Sequence, residues 1–316
     1  MRVHASAGNE DFAMVYIVET NSGHLVECVE SVQPPLPREK KWVLLVSTMF
    51  GCPVGCLMCD AGGYYHGKPT KDEILAQIDF LVAKRFADGN IPCEQFKIQF
   101  ARMGEPSLNL QVLDVLQELP RRYRAPGLMP SISTIAPAGA ERFFNRLLEI
   151  KQEYYSGGHF QLQVSLHTTD LELRDQFVPV KKWSFAQIGD YGERFYAAGD
   201  RKITLNFALA KGMPVDPTVL LNFFDPDRFL IKITPLNPTY RARESNLVSY
   251  VDPLSAEQKY EIVQGLQDSG YQVILSIGEK EENLIGSNCG QYLRRHLSTE
   301  HPIEDGYTYQ VEECSS

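Results

Sequence analysis

The sequence predicts an α/β protein built as a partial (β/α)6 barrel of the TIM type. Short apolar, β-branched runs alternate with helix-period segments, which is the repeat of a parallel sheet with crossover helices. The chain has 316 residues, 43% of them apolar, enough to bury the large core of such a sheet. A hairpin precedes the repeat and a polar tail follows it.

The hairpin is expected over residues 12–32, where Asn21-Ser22-Gly23 forms the turn between two alternating runs. Strands are then expected at Trp42–Ser47, Phe96–Ala101, Met129–Thr134, Phe160–His167, Lys202–Leu209 and Phe229–Leu236, with a further one at Tyr271–Ile277. Helix-period segments lie at Lys71–Phe86, Leu110–Leu119, Ala138–Ile150, Ser184–Ala198, Pro217–Phe224 and Ser255–Ser269. Six such units leave a barrel open on one side, with working groups at the carboxyl ends of the strands. The expected divisions are an extension and hairpin over 1–40, a barrel over 41–277 and a C-terminal segment over 278–316 around Cys289.

Bulk properties narrow the function. No apolar run approaches a membrane span, and the first residues lack the apolar region of a signal peptide. Seven cysteines, an odd number with one tight cluster, do not resemble a disulfide framework, so a reducing cytoplasm is expected. The net charge of −9 argues against an extended polyanion such as RNA as partner.

Cys52, Cys56 and Cys59 form a C-x3-C-x2-C run in the loop after the first barrel strand. Three thiolates at this spacing can hold a 4Fe-4S cluster with one iron open to a cosubstrate. A closed zinc site wants a fourth protein ligand, for which His66 is the nearby candidate. Further motifs follow at the expected strand ends. They are Met103-Gly104-Glu105-Pro106, Ser133-Thr134, and Ser165-Leu166-His167 continuing through Glu172 to Pro179. Phe207–Gly212, Asn237-Pro238 and, in the tail, Cys289-Gly290-Gln291 complete the series.

In order and spacing these motifs resemble the RlmN/Cfr-type methyltransferase branch of the radical S-adenosylmethionine (radical SAM) superfamily, from about Val15 to His296. The resemblance implies a radical SAM barrel with a 4Fe-4S cluster on Cys52, Cys56 and Cys59. Gly104 and Glu105 would hold the ammonium of S-adenosylmethionine. Ser133, Ser165, Leu166, His167 and Asn237 would line the rest of it. Cys289 would be S-methylated and pass a one-carbon unit to an sp2 carbon. An electron donor such as flavodoxin or ferredoxin is implied as partner.

Two departures bear on the substrate. The family's second catalytic cysteine falls on Leu45, which cannot do thiol chemistry, and an N-terminal helical domain has no counterpart before the hairpin. Cys28, or less directly Cys314 or Cys93, would replace the thiol. Glu27 or Glu30 on the hairpin would accept the substrate proton. The expected acceptor is therefore a small molecule, nucleotide or peptide. The alternatives are an RNA adenine, a radical SAM reaction without methyl transfer, and a non-catalytic zinc module.

Overall fold

A computed structural model describes residues 1–252, 260–278, 280–287, 292–293, 303, 306 and 308–314. Cys289 lies outside the described residues. Within them one sheet runs through the molecule, ordered β10-β9-β8-β7-β6-β5-β4-β3-β2-β1-β11. Its parallel part comprises β4 (Lys41–Val46), β5 (Gln95–Phe100), β6 (Leu128–Thr134), β7 (Gln161–Ser165), β8 (Ile203–Leu209), β9 (Phe229–Pro235) and β10 (Val273–Leu275). The hairpin strands β2 (Ala13–Glu19) and β3 (Leu25–Val32) join antiparallel to β4, so the barrel stays open by hydrogen bonds.

The hairpin has a strand that sequence patterning missed. β1 (Arg2–Asn9) pairs antiparallel with β2, and β11 (Glu312–Glu313) of the tail pairs with β1. The buried positions of β1 include Ala5 and Ala7, side chains too small to read as an apolar run. Ser255–Ser269 resolves into α8 (Glu261–Asp268) within the described residues.

The helices α1 (Lys71–Arg85), α2 (Gln111–Arg122), α3 (Glu141–Tyr154) and α5 (Phe185–Phe195) cover one face of the sheet. α1 starts where it does because Thr70 and Glu73 form a capping box, each satisfying the other's backbone N–H. Acidic Asp72 and Glu73 in its first turn and basic Lys84 and Arg85 in its last complement the helix dipole. Beneath the helices lie Trp42, Leu44, Phe96, Ile98 and Phe100, all fully buried, with Trp42 stacked on Phe96 at 5.1 Å. The opposite, inner face is polar: Lys97 and Gln99 on β5, Ser131 on β6, Gln163 on β7, Asn206 on β8 and Lys232 on β9 alternate with that core.

Candidate active site at the carboxyl ends of the strands

The cysteine loop leaves β4 and is tied down at several points. The Cys52 N–H donates to the Tyr64 carbonyl at 3.0 Å, and the Leu57 N–H to the Phe177 carbonyl at 3.0 Å, at the end of α4 (Leu171–Phe177). A side chain at Gly51 would place Cβ 2.2 Å from the Tyr64 carbonyl oxygen, and one at Gly62 would meet the Gly55 Cα at 2.9 Å. Only glycine lets the loop cross itself there.

Cys56 is buried, Cys52 and Cys59 are half-buried, and none is disulfide-bonded. Burial pushes the Cys52 thiol up to about 11, while the N–H groups of Val54, Gly55 and Glu105 aim at its sulfur and oppose that rise. The Cys56 thiol is raised further, first by burial and then by the closeness of Cys59 and Cys52. Three bare thiolates are thus disfavoured, whereas a cationic centre would take up their charge. No three His, Cys, Asp or Glu side chains among the described residues converge on a single-ion position. His66 stacks parallel to His24 at 6.3 Å, beside the hairpin turn. Thiolates on a multi-iron cluster stand further apart than on one ion, so this donor set fits a cluster with an open iron rather than tetrahedral zinc.

Glu105 arrives beside this loop from the end of β5. Gly104 makes the turn at φ +97°, where a Cβ would lie 2.4 Å from that of Met49. The Glu105 carboxylate is buried and accepts from the Ser107 N–H (3.1 Å) and hydroxyl (2.7 Å), the Thr134 hydroxyl (2.6 Å) and the Ile135 N–H (2.9 Å). Burial raises its pKa and the four donors oppose this. The result is a rigidly oriented acceptor for a ligand's cationic group.

The other candidates stand at neighbouring strand ends. Ser133 and Ser165 are half-buried, Leu166 is fully buried, and Asn237 is half-buried just after β9. His167 has a left-handed backbone at φ +67°, and its Nδ1 accepts the Ala208 N–H at 3.2 Å. That bond leaves the proton on Nε2, so the ring offers a donor. Burial, helped by Arg174, pushes its pKa down to about 3 and keeps it neutral.

Two side chains outside the sequence motifs fasten the cysteine loop. Asp60 accepts the N–H groups of Tyr240 and Arg241 at the start of α7 (Tyr240–Glu244), at 3.2 and 3.0 Å. Arg241 donates to the carbonyls of Gly55 and Cys56 at 3.1 and 3.2 Å. The only sequence signal was Thr239, whose hydroxyl caps that helix and also donates to the Met58 carbonyl at 2.7 Å.

The hairpin candidates separate by face. Glu30 and Cys28 lie on the helix side: Glu30 accepts from Arg85 of α1 at 2.7 and 2.9 Å and from the Tyr16 hydroxyl at 3.1 Å. Cys28 is fully buried in the core, and burial pushes its thiol far up. Cys93 is a core residue and Cys314 is exposed beside β1. Glu27 alone faces inward, sharing that face with Val29, which registers with Leu45. It is fully buried, paired with Arg102, and accepts the Leu293 N–H. Arg102 also donates to the carbonyls of Gly286 and Ser287, both at 3.0 Å. Both flanks of the segment that carries Cys289 therefore dock on one buried ion pair.

No family model matches the chain. A probable dual-specificity RNA methyltransferase RlmN of Thermus thermophilus is 28% identical over 207 residues, covering 65% of this chain and 54% of its own length. The corresponding protein of Desulfitobacterium hafniense is 26% identical over 299 residues, covering 92% and 78%. The dual-specificity RNA methyltransferase RlmN of Wolinella succinogenes is 26% identical over 312 residues, covering 89% and 81%. The match thus spans about half the length of the Thermus relative and most of the other two. Among solved structures, a radical SAM methyltransferase from Sphaerobacter thermophilus shares the fold, with a TM-score of 0.63 at 20% identity over 87% of this chain and 77% of that one. By sequence the chain is a divergent relative of the proteins named dual-specificity RNA methyltransferase RlmN.

Proposed function

We propose that this chain is a radical SAM methyltransferase. One observation carries the reading: the Glu105 N–H points at the Cys52 sulfur, so the three-thiol loop and the Met-Gly-Glu-Pro turn form one site. Cys52, Cys56 and Cys59 would hold a 4Fe-4S cluster, which when bound supplies the electron that cleaves S-adenosylmethionine. Glu105 would accept the ammonium of the cosubstrate. Ser133, Ser165 and Asn237 would offer hydroxyl and amide groups to its ribose and carboxylate, and His167 an N–H. Buried Leu166 holds that rim in place. Cys289 would carry the one-carbon unit, and Glu27, the inward-facing carboxylate, holds the segment that bears it.

For the acceptor, the relatives' names bring RNA forward, whereas the net charge of −9 weakens phosphate-backbone binding. That weakening favours a small-molecule, nucleotide or peptide acceptor. An electron donor of the flavodoxin or ferredoxin type would serve the reduction. The test is anaerobic reconstitution: about four irons and four sulfides should bind, and the reduced protein should release 5′-deoxyadenosine. Stoichiometric zinc without acid-labile sulfide would overturn the reading.

A further inference from the structure

Helix α4 meets all three parts of the strand-end site. At its C-terminus the Phe177 carbonyl accepts the Leu57 N–H of the cysteine loop at 3.0 Å. The Phe177 ring is fully buried and packs on the His167 ring, with centroids 5.1 Å apart. Phe177 and Val178 also share one buried apolar cluster with Val54 and Cys56. One turn earlier, Arg174 donates from Nη1 to the Trp183 carbonyl at 2.9 Å. The Trp183 N–H in turn donates to the Ala136 carbonyl at 2.8 Å, next to Ile135, whose N–H reaches Glu105.

Two local costs converge on this helix. His167 holds a left-handed backbone, which a residue other than glycine keeps only where its surroundings over-determine it. Arg174 is 3% exposed, yet its Nε and Nη2 have no hydrogen-bond partner. A guanidinium buried with two nitrogens idle is costly and calls for an explanation. Its plane lies over the Phe185 ring at 5.0 Å, so the side chain is gripped between the start of α5 and the Trp183 carbonyl. Filling space does not explain it, since an uncharged side chain of similar length would fill the same place. Chains break such local rules chiefly where a site must be held.

We propose that Phe177 is a positioning residue, which holds the His167 rim and the three-thiol loop at one fixed separation while Arg174 locks α4 to the Glu105 side. The proposal rests on the radical SAM reading, because the rim is where the cosubstrate would lie and the loop is where the cluster would sit. Phe177 acts through His167 and Leu57, and Arg174 through Trp183, without either touching a ligand. A misplacement of about 1 Å between reacting groups costs on the order of a hundredfold in rate. Lost register therefore shows in turnover before it shows in binding.

Phe177→Ala, Arg174→Met and Phe195→Ala in the full chain test it. Phe195 is buried at the far end of α5 and controls for lost core volume. Before reconstitution, iodoacetamide should alkylate Cys56 about fivefold faster or more in Phe177→Ala than in the unsubstituted protein, and no faster in Phe195→Ala. After anaerobic reconstitution, Phe177→Ala and Arg174→Met should keep their iron and bind S-adenosylmethionine within about threefold. They should release 5′-deoxyadenosine about tenfold or more slowly. The change that S-adenosylmethionine makes in the electron paramagnetic resonance spectrum of the reduced cluster should shrink in both. Unchanged turnover in either folded variant, or unchanged alkylation of Cys56 in Phe177→Ala, would overturn the proposal. So would an equal loss of turnover in Phe195→Ala, which would mark a general loss of stability. The radical SAM reading is scored on the unsubstituted chain. Absence of cluster and of 5′-deoxyadenosine there removes that reading, while faster alkylation in Phe177→Ala still supports the link between helix and loop.

Discussion

Glu27 and Arg102 form a buried ion pair whose remaining side-chain hydrogen bonds, among the described residues, go to the C-terminal segment, to the carbonyls of Gly286 and Ser287 and from the N–H of Leu293. A carboxylate and a guanidinium this deep are tolerable only because each satisfies the other and the backbone takes the rest.

Removing one partner leaves an uncompensated buried charge. Arg102→Ala should therefore destabilise the fold by about 3–5 kcal/mol. Glu27→Gln should loosen the tail, seen as faster proteolysis after residue 286. Chemical denaturation and limited digestion measure both. Wild-type stability in Arg102→Ala would show that the pair is incidental.

Arg241 tests the loop fastening. Arg241→Ala removes two donors from the carbonyls of Gly55 and Cys56, and iron retention after reconstitution should fall. Cys52→Ala, Cys56→Ala or Cys59→Ala should abolish it. Full iron content in any of these three would displace that residue from the ligand set.

Glu105→Ala should weaken S-adenosylmethionine binding roughly ten- to a hundredfold, as a charge-assisted hydrogen bond contributes on the order of 1.5–3 kcal/mol. It also frees the donors of Ser107, Thr134 and Ile135, so circular dichroism must accompany the titration. Unchanged affinity in a folded variant would refute the assignment.

His167 gives a pH signature. Its folded pKa of about 3 lies below the ordinary 6.5. Between those values the unfolded chain binds the proton and the folded one does not. The stability is complete above pH 6.5 and is lost as pH falls below it, by up to about 1.4 kcal/mol per pH unit. His167→Asn should flatten the acid limb of a stability–pH curve. An identical limb would place the acid sensitivity elsewhere.

Cys289→Ala should lose methylation of protein and product yet still release 5′-deoxyadenosine, since Glu105 and the three-thiol loop are untouched. Mass spectrometry of the peptide around residue 289 reads the first effect. Full product formation in this variant would exclude a methylcysteine route.

Much of this was legible because it is local. The three cysteines, the Gly104-Glu105 turn and the parallel strands are written in short spacings and alternation. Glu27 and Glu30 were not separable, because both sit on a short strand whose facing depends on its pairing with β4. Arg102 had no signal at all. A lone arginine before a turn does not announce carbonyl partners 184 and 185 residues away. α7 escaped because five residues are too few for helical periodicity to show.

The strand order has a consequence for assembly. From β1 to β10 every strand lies beside its predecessor in the chain, so the sheet can extend in the order in which it is synthesised. Glu27 breaks that schedule. Placed by the third strand, it reaches its last hydrogen-bond partner 266 residues later. Until the tail arrives, a nearly complete sheet carries Glu27 and Arg102 paired with each other but short of their backbone partners, so the pair acts as a late checkpoint. Nascent chains stopped before residue 286 should be held by chaperones or degraded, even though all ten of those strands are already present.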